Sequence, residues 1–116
     1  MFRYILAALL LVPAGLFAID PKDAKTHGNL GIVLSHKGQW DEAIASYKKA
    51  IAIDPKFAKG HDGLGAALVG KGQWDAAIAS CRQAIALDPK NGDAYNGRGF
   101  ARATRSRKSK LSMALF

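Results

Sequence analysis

The sequence contains a single cysteine, Cys81, among 116 residues. One thiol excludes a disulfide within the chain, and it excludes a zinc site built mainly from cysteines. Proline is also scarce, with four residues, while 49% of the residues are hydrophobic. This composition is typical of a globular protein and excludes a largely disordered one, and the length has room for one small domain.

Acidic residues are few, nine against seventeen Lys and Arg, which gives a net charge of +8. Residues 1–97 are nearly neutral, because eleven of the basic residues and all nine acidic ones lie there. The other six basic residues are Arg98, Arg102, Arg105, Arg107, Lys108 and Lys110. Such a tail suits nucleic acid or an anionic membrane surface, but only Phe100 supplies a nearby aromatic ring for stacking bases. A solvated terminal run is the other interpretation.

An apolar segment, residues 1–19, opens the chain with Arg3 as its one charge. Its basic start, apolar run and small residues fit a secretory signal peptide. A membrane anchor is a second interpretation, although spanning a bilayer takes about 20 apolar residues and Pro13 interrupts this run. A third is a capping helix from a degenerate upstream repeat, since Ile19–Pro21 ends it in register; a mis-set reading frame is the fourth. We expect an exported or membrane-anchored protein over a cytoplasmic one.

The centre of the chain repeats itself. The 34 residues Lys22–Pro55 align without a gap to Lys56–Pro89, and 21 of the 34 positions are identical. The same short motif, an aliphatic residue followed by Asp-Pro, ends at Pro21, Pro55 and Pro89. A fixed period of this length indicates stacked helix-turn-helix units.

Each repeat predicts two helices. Apolar residues at helical spacing predict the first over residues 22–37, and Gly38 ends it because glycine readily adopts the left-handed conformation of a helix C-terminus. The second begins near Asp41 and Glu42, whose charges suit a helix N-terminus, and ends at Asp54-Pro55. The matching helices of the second repeat are predicted near Phe57–Lys71 and Asp75–Leu87.

A third copy begins after Pro89 and is incomplete. It keeps the first helix, but the Gly-Gln-Trp-Asp turn is missing, and Thr104–Lys110 is a charged run that we expect to be solvated. The predicted organisation is therefore an apolar segment at 1–19, a repeat array at 20–104 (22–55, 56–89 and a partial repeat at 90–104) and a basic tail at 105–116.

These repeats resemble the tetratricopeptide repeat (TPR) family. The residues that carry the resemblance are His27, Leu30, Gly31, Leu34, Gly38, Trp40, Ala43, Tyr47, Ala50 and Pro55, and in the second repeat His61, Leu64, Gly65, Leu68, Gly72, Trp74, Ala77, Cys81, Ala84 and Pro89. The resemblance implies an all-α fold, a TPR-type α-solenoid of about two and a half repeats. The small residues, among them Gly31 and Ala43, would let the helices of a pair meet.

The resemblance also implies a function, because the first helices of TPR arrays line a concave groove that binds a peptide or a partner protein. Carried over position by position, the groove residues are Lys25, Asn29, Ile32, His36, Lys59, Asp62, Ala66, Val69, Asp93, Asn96 and Phe100. In the family members that bind a chaperone C-terminal carboxylate, lysine, arginine and asparagine clamp it. Those positions hold Gly28, Ile32, Gly63, Asp93 and Gly97 here, which argues against that ligand.

No residue pattern indicates catalysis. His27 and His61 lie one repeat apart without a carboxylate or thiol at ligand spacing, so we expect packed interior histidines, with His36 exposed. Trp40 and Trp74 are interpreted as wedges between helices and Cys81 as a small buried side chain. We expect no enzyme, cofactor or metal, a protein or peptide partner in the groove, and no nucleic acid; a basic adaptor acting through the tail is the alternative.

Overall fold

The structure is a computed structural model, and it describes residues 21–114. This part of the chain contains five α-helices and no strand. The helices are α1 (Pro21–His36), α2 (Trp40–Ile53), α3 (Ala58–Lys71), α4 (Trp74–Leu87) and α5 (Gly92–Ala114). The predicted all-α repeat fold is confirmed, and the four predicted helices of the two full repeats begin and end within one or two residues of their expected bounds.

Glycines end the first helix of each full repeat. Gly38 and Gly72 have φ angles of +73° and +81° and are the only described residues with positive φ. The Gly72 N–H is donated back to the carbonyl of Val69, which satisfies an end of α3. A side chain at either position would be strained, which is why glycine is favoured at both turns.

Aspartates end the second helix of each repeat. Asp54 and Asp88 adopt extended conformations after α2 and α4. Each carboxylate accepts the backbone N–H two residues later, from Lys56 at 3.1 Å and from Lys90 at 3.2 Å. Because a proline stands between the two residues of each bond, the chain is held out of helical geometry and starts the next repeat.

Each helix packs against its neighbour in sequence, and α3 also contacts both α1 and α5. The first helices of the repeats therefore lie side by side. The core is built mainly from small side chains, since Ala43, Ala50, Ala77 and Ala84 are completely buried. Such residues let helix backbones approach closely, in agreement with their role in the sequence pattern.

Tyr47 fills the space that glycines leave between the first two repeats. A methyl group built at Gly31 would lie 2.7 Å from Cε1 of the Tyr47 ring, and one at Gly63 would also overlap that ring. In the next repeat Gly65 faces the smaller Cys81, whose sulfur would lie 2.6 Å from a methyl group there. The two repeats thus use one packing scheme with side chains of different size.

The last helix is longer than the repeat pattern predicts. Helix α5 has 23 residues and runs without interruption through Thr104–Lys110, the run that we expected to be a solvated tail. Most of its side chains there are exposed, as expected, but the backbone is helical. The physical reason is Ser106, which stands one repeat after Gly72, so the residue that turns the chain is missing.

The apolar segment at residues 1–19 lies outside the described residues, and so do residues 115 and 116. The interpretations of that segment as a signal peptide, an anchor or a capping helix therefore stay predictions. Among helices α1–α5, none combines the length and the apolar character that crossing a membrane requires.

Candidate binding groove

The first helices of the three repeats line a groove of about 1010 Å³. Seven of the eleven residues predicted for a binding groove line it together: Lys25, Asn29, Ile32, Lys59, Asp62, Ala66 and Asp93. They come from α1, α3 and α5, which the repeat places side by side. Residues of the turns that precede α3 and α5 also line the groove, among them Lys56 and Lys90.

Four predicted residues do not line this groove. His36 is exposed in the last turn of α1, and Asn96 is exposed on α5. Val69 packs against the hydrophobic core instead. Phe100 is 54% exposed, and its ring meets the Trp74 ring edge to face, with 6.5 Å between the centroids.

Sequence reasoning missed the aromatic residues of the groove. Phe57 and Tyr47 both line it. Glycines bring them there, because a methyl group at Gly28 would lie 2.9 Å from Cε1 of Phe57, and one at Gly63 would overlap Tyr47. The available signal was the pair of glycines Gly28 and Gly63, at places where most helix positions carry a side chain. The Phe57 ring gives the groove apolar surface beside its charges, whereas Tyr47 is only 3% exposed.

The groove contains charges of both signs. Lys25, Lys59 and Asp93 occupy equivalent positions of α1, α3 and α5, 34 residues apart. Asp62 is half-buried on α3, and burial raises its pKa above the ordinary value. The Asn91 side chain interacts with Asp62 and lowers this pKa, whereas the charge of Asp93 raises it.

The residues considered for catalysis do not form a reactive site. Cys81 is completely buried, and burial raises the pKa of its thiol, which opposes formation of the thiolate that a nucleophile needs. His27 and His61 are only partly buried, and Nε2 of His61 lies 3.0 Å from the Pro55 carbonyl oxygen. Within residues 23–114, His, Cys, Asp and Glu side chains form no cluster able to hold a metal ion.

The basic residues of α5 are partly engaged within the chain. Arg105 forms an ion pair with Asp75 at 2.6 Å, and the Lys108 ammonium lies 5.6 Å from the centroid of the Trp74 ring. Arg98 lies 5.3 Å from the ring of Tyr95. Half of the six cations therefore contact the repeat array itself, which leaves less charge for an external anion.

Comparison with solved structures finds TPR domains. An Arabidopsis OM64 TPR domain has a TM-score of 0.72 at 26% identity, with 75% of this chain and 72% of that chain covered. The TPR2B domain of yeast Sti1, solved in complex with pHsp70, gives 0.72 at 27% identity, with coverage of 77% and 71%. The second TPR of Spaghetti (RPAP3), bound to the HSP90 peptide SRMEEVD, gives 0.72 at 25% identity and covers 80% and 86%.

Comparison of the sequence with protein-family profiles identifies the family. No curated protein matches the chain significantly. A family profile described as "TPR repeat" matches residues 33–72 and 67–104, and one described as "Tetratricopeptide repeat" matches residues 16–45. Because the first profile covers more than half of the chain and the solved neighbours are TPR domains, the chain belongs to the tetratricopeptide repeat family.

Proposed function

We propose that the chain is a protein-interaction module whose groove binds a peptide or an extended segment of a partner protein. The observation that carries the proposal is the convergence of the equivalent residues Lys25, Lys59 and Asp93, from three helices, on one open groove. TPR domains of similar structure, from yeast Sti1 and from Spaghetti, were solved with chaperone peptides bound. A binding role without chemistry also agrees with the buried, unreactive thiol of Cys81.

The ligand we propose differs from a chaperone carboxylate. The five positions that clamp such a carboxylate in other family members are Gly28, Ile32, Gly63, Asp93 and Gly97 here, and all five line the groove. None carries a cation or a side-chain amide, and Asp93 would repel a carboxylate. The groove therefore lacks the clamp, and Gly28 instead leaves room for the Phe57 ring, which lines the groove.

A selection from a random peptide library tests the proposal. Peptides selected on the intact chain should lose at least about tenfold in affinity, which is about 1.4 kcal/mol, when Lys25→Glu and Lys59→Glu are combined. Lys48→Glu with Lys49→Glu is the matched control, because these lysines are exposed on α2 and do not line the groove. Equal affinity of the wild type and the Lys25/Lys59 variant would contradict the proposal that the groove binds the peptide.

The same experiment separates the groove from the basic end of α5. Arg107→Gln with Lys110→Gln removes two exposed cations and leaves the Arg105 ion pair intact. If the groove binds the ligand, this variant keeps its affinity. If the basic end binds it, affinity is lost, and binding to nucleic acid or anionic vesicles weakens steeply with salt.

We also propose that residues 1–19 direct export or membrane anchoring. The support is the apolar run after Arg3, interrupted only by Pro13. A chain that starts at Ile19 should then stay soluble and helical by far-UV circular dichroism. Loss of solubility and of helix on this truncation would favour a capping helix that packs on α1.

A further inference from the structure

The charges along the groove change sign between the second and the third repeat. Lys25 and Lys59 are equivalent residues on α1 and α3, whereas the equivalent residue on α5 is Asp93. Asp62 adds a second carboxylate close to Asp93, since the charge of Asp93 acts on it. Among the groove residues that the first helices contribute, the end at α1 is therefore positive and the end at α5 negative, while the turns add Lys56 and Lys90 beside Asp54 and Asp88.

These groove charges have no ion-pair partner within residues 23–114. The two ion pairs of this part of the chain join Lys71 to Asp41 and Arg105 to Asp75, and none of these four residues lines the groove. The exposed groove charges, those of Lys25, Lys59 and Asp93, are solvated by water, whereas the half-buried Asp62 carries a cost of burial. An opposite charge that a ligand brings into the groove would pair with either kind.

The other carboxylates of the groove already have a structural role. Those of Asp54 and Asp88 accept backbone N–H groups in the turns after α2 and α4. The Asn91 side-chain oxygen likewise accepts the Ala94 N–H at 3.2 Å at the start of α5. Asp93 is therefore an acidic group that remains to meet a ligand, and Asp62 lies beside it, where it also interacts with the Asn91 side chain.

Building on the proposed function, we propose that the groove binds an extended peptide that carries charges of both signs. An acidic side chain of the peptide pairs with Lys25 or Lys59, and a basic one pairs with Asp62 and Asp93. Packed helices lie roughly 8–10 Å apart, and an extended chain advances about 3.3 Å per residue. The two charges of the peptide are therefore about three to six residues apart.

Specificity follows from this arrangement. Two charges five residues apart span about 16 Å of extended chain, which matches the two helix spacings from α1 to α5. At that separation a peptide with two acidic residues that binds Lys25 places the other one against Asp93, and a peptide with two basic residues that binds Asp93 places the other one against Lys25. A peptide with two like charges thus forms one ion pair, and its other charge is repelled by a like charge of the groove. The mixed peptide is the only one of the three that avoids repulsion at both ends.

Three display libraries test the proposal with the intact chain. Each library consists of ten-residue peptides in which two positions, five apart, are fixed and the other eight are random apolar or small residues. The fixed positions are Glu and Glu, Lys and Lys, or one of each. The mixed library is made in both orders, because the peptide can lie in either direction. We expect the mixed library to be enriched at least about fivefold over the other two.

Asp93→Lys provides a switch of specificity. It restores the sign found in the first two repeats, so enrichment should move from the mixed library to the acidic one. Glu42→Lys is the matched control: it makes the same change of charge in the first turn of a helix, α2, but outside the groove. Far-UV circular dichroism checks that both variants are folded.

Each outcome has one meaning. The mixed-charge ligand is overturned if the wild type prefers the acidic or the basic library, or if all three libraries are enriched equally. The groove still stands as a peptide site in that case if Lys25→Glu with Lys59→Glu abolishes the enrichment. An unchanged ranking in folded Asp93→Lys also overturns the mixed-charge ligand. No enrichment from any library overturns the proposed function as well.

Discussion

Arg105 reaches back to Asp75 and forms an ion pair with an N–O distance of 2.6 Å. The same pair exists one repeat earlier between Lys71 and Asp41. Arg105 thus occupies the place that the repeat pattern assigns to it, although the sequence around it no longer looks like a repeat. The basic end of α5 begins as part of the array and not as a separate tail.

Removing this ion pair should loosen the end of the array slightly. Exposed pairs contribute about 0.2–1 kcal/mol, and both partners are largely exposed, so Arg105→Ala should lower the midpoint of urea unfolding by a small amount. Arg107→Ala, which removes a neighbouring exposed cation of the same helix, should have no such effect. Equal midpoints for the two variants would show that the pair contributes nothing.

A larger effect is expected between α1 and α2. Gly31→Leu would force a side chain into the Tyr47 ring, because even its Cβ would lie 2.7 Å from that ring. Overpacking of this kind costs roughly 1–3 kcal/mol, a considerable part of the stability of a small domain. Urea unfolding measures the loss.

Gly99 offers the matched control for Gly31, since it lies two repeats later in the same register. Apart from its two chain neighbours and the adjacent backbone of α5, no atom of the described residues lies within 4 Å of a methyl group built there. Gly99→Leu should therefore be neutral or stabilising by up to about 1 kcal/mol, the gain in helix propensity over glycine. The packing argument fails if both variants lose the same stability.

Asp62 should make the stability of the fold depend on pH. Burial raises its pKa in the folded chain, so the folded state binds the proton more tightly than the unfolded chain does. Its stabilising contribution is complete below the unfolded pKa, about 3.9, and is lost as the pH rises through the folded pKa. Asp62→Asn should thus raise the melting temperature at pH 7.

The gain from Asp62→Asn should shrink as the pH falls toward about 4, because wild-type Asp62 then becomes neutral as well. Thermal melts of both proteins from pH 3.5 to pH 7 measure the difference. A variant that melts at a lower temperature than the wild type at pH 7 would show that the bond from Asn91 outweighs the cost of burial.

Most of the fold could be predicted from the sequence, because its turns depend on local residues. Gly38 and Gly72 mark where φ must be positive, and the Asp-Pro pairs mark where a helix cannot continue. The length of α5 was not predicted, because its charged run was interpreted as a solvated tail, although two other features favour a longer helix. Ser106 replaces the turning glycine, and residues 100–114 contain neither glycine nor proline.

The groove was predicted less completely, because the repeat register fixes which helix faces it but not each side chain. Lys25, Lys59 and Asp93 follow directly from the register. Phe100 does not, since Trp74 packs against it. Tyr47 was out of reach for a different reason: it belongs to α2, and only the glycines of neighbouring helices bring its ring to the groove.

Chemical-shift mapping by NMR tests the central claim most directly. The ¹⁵N-labelled chain is titrated with a peptide selected from the library, and the backbone amides that shift are located. We predict that the largest shifts occur at groove residues of α1, α3 and the first turns of α5, such as Asn29, Gly63 and Gly97. Shifts confined to residues 105–114, with the groove unchanged, would contradict the account.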